Sequence, residues 1–140
     1  IEEILAIERL SFPTPWSYNA FRMETEKRIS KIWVLILDGA VAGYLCFLTV
    51  EGEIQLLNLA VHPERRRNRL GWFLLSKLIE KGASVGARHI WLEVRTSNSA
   101  ARDLYKKMGF TEAGIRPNYY SETGEDAITM SLELPGSGDV

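Results

Sequence analysis

A strand, a helix and a second strand in the middle of the chain constrain the fold more than any other feature. Residues 54–61 form an almost continuous apolar run, which predicts a buried strand. Apolar residues at helical spacing predict a helix from about Asn68 to Ser84, and Gly86 suits the left-handed position that often follows a helix. His89 to Val94 is again strand-like. Because a helix that joins two strands of one sheet brings them together in parallel, with a right-handed crossover, the sheet is expected to contain a parallel pair.

The N-terminal third predicts two short helices followed by antiparallel strands. Pro13 and Pro15 cannot continue a helix, so the first helix ends before them, and Ser17 is a good N-cap for the second. Asp38-Gly39 is the strongest hairpin signal in the chain. The elements predicted here are helices at 4–10 and 17–27 and strands at 31–37, 40–50 and 54–61.

The C-terminal part predicts one more helix and two closing strands. Ser97, Asn98 or Ser99 would cap the helix, and Gly109 would end it. Strands are predicted at 110–115 and 127–134, with a polar loop at 116–126 and a flexible tail at 135–140. No repeat or linker divides the chain, so residues 1–134 are expected to form a single α+β domain around a mixed sheet.

Composition narrows the class of protein. The net charge of −1 argues against general nucleic-acid binding, which usually shows an excess of basic residues. The single cysteine, Cys46, excludes a disulfide framework, and two isolated histidines, His62 and His89, argue against a metal site. The sequence has no apolar run of about 18 residues and no visible signal peptide, so a cytoplasmic protein is the default expectation.

A cluster of arginines lies between the apolar strand at 54–61 and the helix that follows it. The N-terminus of a helix exposes unpaired backbone N–H groups and carries about half a positive charge, so phosphate commonly binds where a strand leads into a helix. The run from Arg65 to Arg69 would add side-chain donors, and Gly71 would let the backbone approach a diphosphate. The same cluster could also be a solvated basic loop, as most basic runs are.

Glu93 and Tyr105 are the residues best suited to carry chemistry. Glu93 places a carboxylate in the otherwise apolar strand at 90–94, and Tyr105 lies on the helix that follows. A carboxylate and a phenol that lie close together can act as a proton-transfer pair. Two other interpretations stay open, since Glu93 could be an edge-strand carboxylate paired with Arg95 or Arg116, and Tyr105 could be an aromatic residue of the core.

The arginine cluster carries a family resemblance. The run Arg66-Arg67-Asn68-Arg69-Leu70-Gly71 resembles the Gln/Arg-x-x-Gly-x-Gly/Ala pyrophosphate loop of the GNAT superfamily of N-acetyltransferases, which bind acetyl-coenzyme A. Arg69 stands where the family has its first glycine, so its side chain must point away from the cofactor or reach along the phosphates. Further blocks resemble the RimI subfamily, the ribosomal-protein-alanine N-acetyltransferases: Phe12-Pro-Thr-Pro-Trp-Ser, Asn58-Leu-Ala-Val-His-Pro, Leu92-Glu-Val-Arg-Thr-Ser-Asn, Leu104-Tyr, Gly109-Phe, Asn118-Tyr-Tyr and Glu125-Asp-Ala-Ile-x-Met.

The resemblance implies a GNAT fold (α/β/α), with helices on both faces of a mostly antiparallel sheet and the parallel pair at the cofactor site. Acetyl-coenzyme A is then the co-substrate, with no metal. The pantetheine arm would lie between splayed strands, bonded to the backbone of Leu59 and Val61, and a backbone N–H there would serve as the oxyanion donor. The residues implied for cofactor binding are Leu59, Ala60, Val61, Arg66, Arg67, Asn68, Arg69, Leu70, Gly71, Trp72, Asn98 and Tyr105.

The resemblance also implies roles for the proton-transfer pair. Glu93 matches the general base, and since an α-amine has a pKa of about 8, a carboxylate can deprotonate it directly or through water. Tyr105 matches the residue that protonates the departing thiolate; the proton need only be shared in the transition state. Asn98 would cap the helix of Tyr105, donate to the pantetheine arm, or do both. Direct attack is expected, because no nucleophile is evident and Cys46 lies mid-strand.

Aromatic residues in irregular segments are candidates for contact with the acceptor, because binding residues concentrate in such segments. The candidates are Trp16, Tyr119 and Tyr120. The tryptophan, which neighbours two prolines, could equally belong to a small hydrophobic core. The acidic residues that would suit a basic peptide are Glu122, Glu125 and Asp126.

The implied activity is acetyl transfer to the α-amine of a protein N-terminus, in particular the N-terminal alanine of a small-subunit ribosomal protein. The same fold could instead acetylate a lysine or a small polyamine. It could also bind coenzyme A without catalysis, which only the departure at Arg69 favours. The expected partner is a protein or peptide N-terminus, with no nucleic acid and no membrane, and the expected assembly is a monomer or a weak dimer.

Overall fold

The computed structural model describes residues 1–135, except for the side chains of residues 67 and 68. Residues 136–140, most of the predicted flexible tail, lie outside the described residues. In chain order the elements are α1 (Glu2–Ser11), α2 (Tyr18–Glu26), β1 (Ser30–Leu37), β2 (Ala40–Val50), β3 (Glu53–Val61), a 3-10 helix (Pro63–Asn68), α3 (Leu70–Ser84), β4 (His89–Arg95), α4 (Ser99–Lys107), β5 (Thr111–Tyr120) and β6 (Glu125–Glu133).

The strands form one six-stranded sheet in the order β1-β2-β3-β4-β6-β5. β3 and β4 run in parallel, with α3 between them in sequence, and the other neighbouring strands pair antiparallel. The predicted mixed sheet with a parallel pair is therefore confirmed. The parallel pairing extends from Glu53 with His89 only to Leu56 with Leu92, although both strands continue. β3 and β4 therefore separate halfway along their length.

Alternate residues of β2 point into two cores, one on each face of the sheet. Leu45 and Phe47 belong to one core together with Leu75 of α3 and Tyr105 of α4. Tyr44 belongs to the other, together with residues of α1 and Phe21 of α2. The helices therefore cover both faces, with α1 and α2 on one side and α3 and α4 on the other, as predicted.

A β-bulge in β3 reverses the alternation of its side chains. Two consecutive residues of β2 pair with Asn58 and Leu56, so Leu57 is an extra residue in β3. Leu56 belongs to the core beneath α3, and in a regular strand Asn58 would point to that same face. With the extra residue, Asn58 points to the face of α1 and Leu59 returns to the face of α3.

Local signals set the ends of several elements. Ser17 Oγ accepts the backbone N–H of Ala20 (3.1 Å) and caps α2. Asn98 Oδ1 accepts the backbone N–H of Ala101 (3.2 Å), so Asn98 is the cap of α4 among the three candidates. The turn at Asp38-Gly39 has positive φ at both residues (53° and 80°), as a type I′ hairpin turn requires. These predictions are confirmed.

The long helix begins two residues after the predicted start at about Asn68 and ends at the predicted Ser84. Residues Pro63–Asn68 form a 3-10 helix, and α3 begins at Leu70. Arg69, between the two, adopts a left-handed backbone (φ 58°), which a right-handed helix cannot include. The arginine cluster therefore precedes α3 and does not form its first turn.

The polar loop predicted at 116–126 is wrong in extent, because β5 continues to Tyr120. β5 is an edge strand and is exposed along almost its whole length, so its side chains resemble those of a loop. The irregularity is a register shift, with Asn118 at φ 53° and its N–H bonded to Asp126 Oδ1 (2.9 Å). Tyr119 and Tyr120 therefore lie at the end of a strand.

Gly43 of β2 lies where a side chain would meet the backbone of β3. A Cβ there would lie 3.0 Å from the carbonyl oxygen of Ala60 and 3.2 Å from Leu74 Cδ1. Because backbone cannot move aside easily, we expect Gly43→Ala to lower the free energy of unfolding by about 1–3 kcal/mol. The control is Gly114→Ala in β5, where a Cβ meets nothing within 4 Å; it should change stability by less than about 0.5 kcal/mol. Equal urea midpoints for the two variants would contradict this packing.

Candidate active site

Two adjoining clefts open where β3 and β4 separate. The smaller, of about 200 Å³, lies between the separated strands and residues 12–17, the α1–α2 segment. The larger, of about 580 Å³, lies between β3, the start of α3 and α4. The residues that line both clefts are Phe12, Leu59, Asn98, Ala101 and Tyr105. The two clefts therefore form one continuous groove.

The smaller cleft brings together residues predicted for catalysis and residues predicted for acceptor binding. Glu93, Tyr105, Trp16 and Tyr120 all line it. Tyr119 is not among the residues that line either cleft; it is 47% exposed, and its ring meets the ring of Tyr120 edge-on at 5.1 Å between centroids. Tyr119 could therefore contact only a part of an acceptor that lies outside the clefts.

Glu93 lies on β4, which is an interior strand between β3 and β6. Its side chain is 14% exposed and accepts hydrogen bonds from Thr129 Oγ1 (2.6 Å) and Gln55 Nε2 (3.4 Å). Arg116 Nε lies 3.8 Å from the carboxylate, whereas Arg95 pairs with a different acid. The carboxylate is thus held by neutral donors on the two adjacent strands and by an ion pair with Arg116. The edge-strand position in the alternative interpretation is wrong, whereas its pairing with Arg116 is present.

Tyr105 belongs to the core and to the site at the same time. It is 7% exposed and packs against Phe110, with ring centroids 5.6 Å apart, while it also lines both clefts. Burial, with a smaller contribution from Tyr120, raises the pKa of the Tyr105 phenol above its ordinary value. A phenol is protonated at neutral pH in any case, and the raised pKa makes this one a weaker acid than an exposed tyrosine.

The larger cleft gathers most of the residues predicted to bind the cofactor. Those that line it are Leu59, Ala60, Val61, Arg66, Arg69, Gly71, Trp72, Asn98 and Tyr105. Leu70 is not among the lining residues. The side chains of Arg67 and Asn68 lie outside the described part of the chain. The side chain of Arg69, the N-cap residue, does not cap α3, so it leaves the first N–H groups of this helix available to a ligand.

The two arginines of this cleft have different roles in the structure. Arg66 donates from Nε to the carbonyl of Val61 (3.1 Å) and from Nη2 to Ser11 Oγ (2.9 Å), and thereby links the end of β3 to the end of α1. Arg69 folds over Trp72, with its guanidinium carbon 5.0 Å from the ring centroid. The left-handed backbone at Arg69 is a conformation that glycine adopts most easily, which accounts for the glycine expected there.

Two further residues predicted for the cofactor also position helices. Asn98 caps α4 through its side-chain oxygen and lies on the wall that the two clefts share. A Cβ on Gly71 would lie 3.3 Å from Leu104 Cδ2, so the glycine allows α3 to approach α4 closely. Both residues therefore have a structural role beside any contact with a cofactor.

Arg95, which the sequence analysis names only as a possible partner of Glu93, is a buried cation of the site. It is 6% exposed, and its guanidinium donates to Thr14 Oγ1 and to Thr123 Oγ1 (3.2 Å). It also pairs with Glu125 Oε1 (3.4 Å) and lies 3.8 Å from the ring centroid of Tyr120. Arg95 thus ties the α1–α2 segment to the turn between β5 and β6 and builds one wall of the smaller cleft. Its partners are distant in sequence, so no local signal reveals them.

Glu8 is a buried carboxyl group that also lines the smaller cleft. It is 1% exposed and accepts hydrogen bonds from Tyr44 Oη, from Asn58 Nδ2 (2.6 Å) and from the backbone N–H of Trp16 (2.9 Å). In the sequence, the sign of this buried residue is a carboxylate on the apolar face of α1, next to Ile7. Only the structure reveals that three other elements supply its donors.

The acidic residues predicted to suit a basic peptide are mostly engaged within the protein. Glu125 accepts from the backbone N–H of Ser97 (2.7 Å) and from Thr96 Oγ1 (3.1 Å). Hydrogen bonds from Ser97 and then from Thr96 and Arg95 lower the pKa of Glu125 to about 2. Asp126 accepts the N–H of Asn118, which leaves Glu122 as the exposed member of the set.

Within residues 1–135, no group of three or more His, Cys, Asp or Glu side chains is placed to hold a metal ion. No helix in the same part of the chain is long and apolar enough to cross a membrane.

Comparisons with known proteins agree with this geometry. Residues 1–110 match the model of the Acetyltransferase (GNAT) family. The chain is 40% identical over 130 residues to the ribosomal protein bS18-alanine N-acetyltransferase of Escherichia coli (strain K12), covering 91% of this chain and 87% of the relative. It is 31% identical over 147 residues to the N-alpha-acetyltransferase of Sulfurisphaera tokodaii, covering 96% and 87%. The crystal structure of the ribosomal-protein-S18-alanine N-acetyltransferase from Escherichia coli matches with a TM-score of 0.90 at 36% identity, over 99% of this chain and 90% of that chain, which confirms the predicted fold.

The low pKa of Glu125 predicts how stability depends on pH. Because the folded pKa of about 2 lies below the ordinary 4.5, the ionised carboxylate stabilises the fold above about pH 4.5, and this contribution is lost as the pH falls towards 2. Glu125→Gln should therefore lose less stability than the wild type between about pH 5 and about pH 3. Urea midpoints at the two pH values measure this, with Glu122→Gln as the exposed control. The same acid dependence in Glu125→Gln and in the wild type would refute the assignment.

Proposed function

The chain belongs to the GNAT family of acetyltransferases, and on this premise we propose that it transfers the acetyl group of acetyl-coenzyme A to the α-amine of a protein N-terminus. The natural acceptor in this proposal is the N-terminal alanine of a small-subunit ribosomal protein. The observation that carries it is the groove between β3 and β4, which holds Glu93 and Tyr105 in a chain 40% identical to a bS18-alanine N-acetyltransferase.

The larger cleft is the proposed binding site of coenzyme A. Its volume of about 580 Å³ suits a cofactor, and its rim carries Arg66 and Arg69 beside the start of α3. A diphosphate would bind the first N–H groups of α3, which the Arg69 side chain does not cap, and the positive end of the helix dipole. Acetyl-coenzyme A would supply the activated acetyl group.

Residues of the smaller cleft would then move the protons. Glu93, oriented by Thr129 and Gln55, takes a proton from the attacking amine, directly or through water. Tyr105, a phenol that is protonated at neutral pH, gives a proton to the departing sulfur. A backbone N–H of residues 59–61, on the wall of the larger cleft, would donate to the thioester oxygen as negative charge develops there.

The acceptor side of the proposal rests on the size and the walls of the smaller cleft. At about 200 Å³ it lies below the usual range for small-molecule sites, so it admits an amine with a short side chain more readily than a bulky ligand. Trp16 and Tyr120 line it, and Tyr119 lies outside, where it would meet later residues of a peptide.

The experiment that tests the function measures thiol release from acetyl-coenzyme A with a peptide that has a free N-terminal alanine followed by basic residues, lysine among them. The control is the same peptide with its N-terminus blocked. We expect release with the free peptide alone. Release with both peptides would indicate that a lysine side chain is the acceptor. Release with neither, despite measurable binding of coenzyme A, would favour a small amine as acceptor or a non-catalytic binding protein.

The proton-transfer roles predict a specific kinetic defect. Glu93→Gln and Tyr105→Phe should each lower kcat by about 100-fold, while the Kd for coenzyme A changes little, because both side chains act on protons in the transition state. Tyr18→Phe and Glu133→Gln are matched control substitutions at positions that do not line either cleft. Wild-type rates in either active-site variant would remove that residue from the mechanism.

A further inference from the structure

Arg95 lies on the same face of β4 as Glu93, the candidate base. Leu92 and Val94 of this strand belong to the core beneath α3. The two residues that alternate with them therefore point to the opposite face of the sheet. Both of these side chains line the smaller cleft. Arg95 is thus placed where it can set the position of the cleft walls relative to the carboxylate of Glu93.

The guanidinium of Arg95 contacts both walls of this cleft. Its Nη2 donates to Thr14 Oγ1 in the α1–α2 segment. Its Nη1 donates to Thr123 Oγ1 (3.2 Å) and to Glu125 Oε1 (3.4 Å) in the β5–β6 hairpin. The guanidinium carbon lies 3.8 Å from the ring centroid of Tyr120, in the same hairpin. A single planar group therefore joins two segments that are far apart in sequence.

Burial and an anchored partner keep Arg95 in this arrangement. The residue is 6% exposed, and a buried charge that loses its partners is costly. Glu125 is fixed in turn by the backbone N–H of Ser97 (2.7 Å) and by Thr96 Oγ1 (3.1 Å). Hydrogen bonds from Ser97 above all lower the pKa of Glu125 to about 2, so it is ionised at neutral pH. The guanidinium is thus anchored to the hairpin, and through Thr14 it holds the opposite wall.

The α1–α2 segment depends on contacts of this kind. It contains two prolines, which have no backbone N–H to donate. The backbone N–H of Trp16 is bonded to Glu8 of α1 (2.9 Å), which does not connect the segment to the sheet. The hydrogen bond from Arg95 to Thr14 makes that connection, and it leads to the strand that carries the candidate base. Without it, the wall that carries Trp16 could move outwards and widen the cleft.

We propose that Arg95 is a positioning residue that fixes the distance between the two walls of the smaller cleft and thereby sets the size of the first acceptor residue. The inference rests on the proposed function, since it concerns the acceptor of the same site. With a volume of about 200 Å³, the cleft rejects a bulky side chain only while its walls stay in place. Arg95 contacts no reacting atom in this proposal and acts through Thr14 and Tyr120.

The first test is Arg95→Lys, assayed with two peptides that differ only in a free N-terminal alanine or leucine. Lysine keeps a charge beside Glu125, but its single ammonium cannot replace the planar fork that contacts both walls. We expect the ratio of kcat/KM for the alanine peptide to that for the leucine peptide to fall by about tenfold. For the alanine peptide, KM should rise while kcat changes little. The Kd for coenzyme A should change by less than about twofold, because the larger cleft is intact.

Hydrogen exchange tests the same role without catalysis. In Arg95→Lys the backbone N–H groups of the α1–α2 segment should exchange about tenfold faster, because the segment leaves the sheet more often. Thr123→Val removes a partner of Arg95 that lines neither cleft. It should change the peptide preference and the exchange in the same direction by a smaller factor. If Arg95→Lys does not fold, Thr123→Val replaces it in both measurements.

The matched control is Arg102→Lys in α4. Arg102 is also partly buried and donates to the carbonyl of Thr96 (2.9 Å) and to Glu112 Oε2 (3.3 Å), but it lines neither cleft. The control should lower the Tm, because two hydrogen bonds are weakened. The preference for alanine and the exchange of the α1–α2 segment should stay at wild-type values.

The outcomes separate this inference from the proposed function. An unchanged preference for alanine in Arg95→Lys would overturn the positioning role and leave the function intact. An equal loss of preference in Arg102→Lys would also overturn it, because the effect would then be one of general stability. A wild type that acetylates both peptides equally well would show that the cleft does not select by size. If the wild type acetylates neither peptide, the proposed function fails, and the exchange of the α1–α2 segment still decides whether Arg95 fixes this wall.

Discussion

The bulge at Leu57 is the constraint on which the rest of the site depends. The parallel pairing of β3 with β4 ends at Leu56, the residue just before it, and the groove opens from that point. A regular strand that remained paired on both sides would leave no space between the two strands and no unpaired backbone for a ligand. The same extra residue decides which face each later residue of β3 occupies, so it sets both the opening and its lining.

Two buried side chains, Glu8 and Arg95, hold the walls of this opening. Glu8 of α1 binds the backbone of Trp16, and Arg95 of β4 binds the side chain of Thr14, so the α1–α2 segment is fixed both to α1 and to the sheet. A segment that contains two prolines has few backbone hydrogen bonds of its own, and these side-chain contacts hold it in place. Because Arg95 also stacks on Tyr120, the position of one wall depends on the other.

The candidate catalytic residues could be predicted from the sequence, because a local pattern surrounds each of them. Glu93 stands out as a carboxylate in an apolar strand, and Tyr105 follows on the next helix. The sequence-based predictions are inaccurate at positions where the local pattern and the backbone conformation disagree. The sequence pattern places Arg69 in a helix, yet its backbone adopts the left-handed conformation. The predicted end of β5 lies too early in the chain, because an exposed edge strand has the polar composition of a loop. Binding of the cofactor and of the acceptor by the side chains assigned to them remains a prediction.

The sequence by itself determined the elements, their order, the parallel pair and the residue types of the candidate site, because periodicity, caps and turn residues act within a few positions of each other. Only the tertiary structure decided that β3 carries an extra residue and that Glu8 meets Asn58, a residue far along the chain. Such contacts depend on strand register and on which face a side chain occupies, and a shift of a single residue reverses that face. No local pattern encodes that shift, so the geometry of the groove follows from the packed sheet.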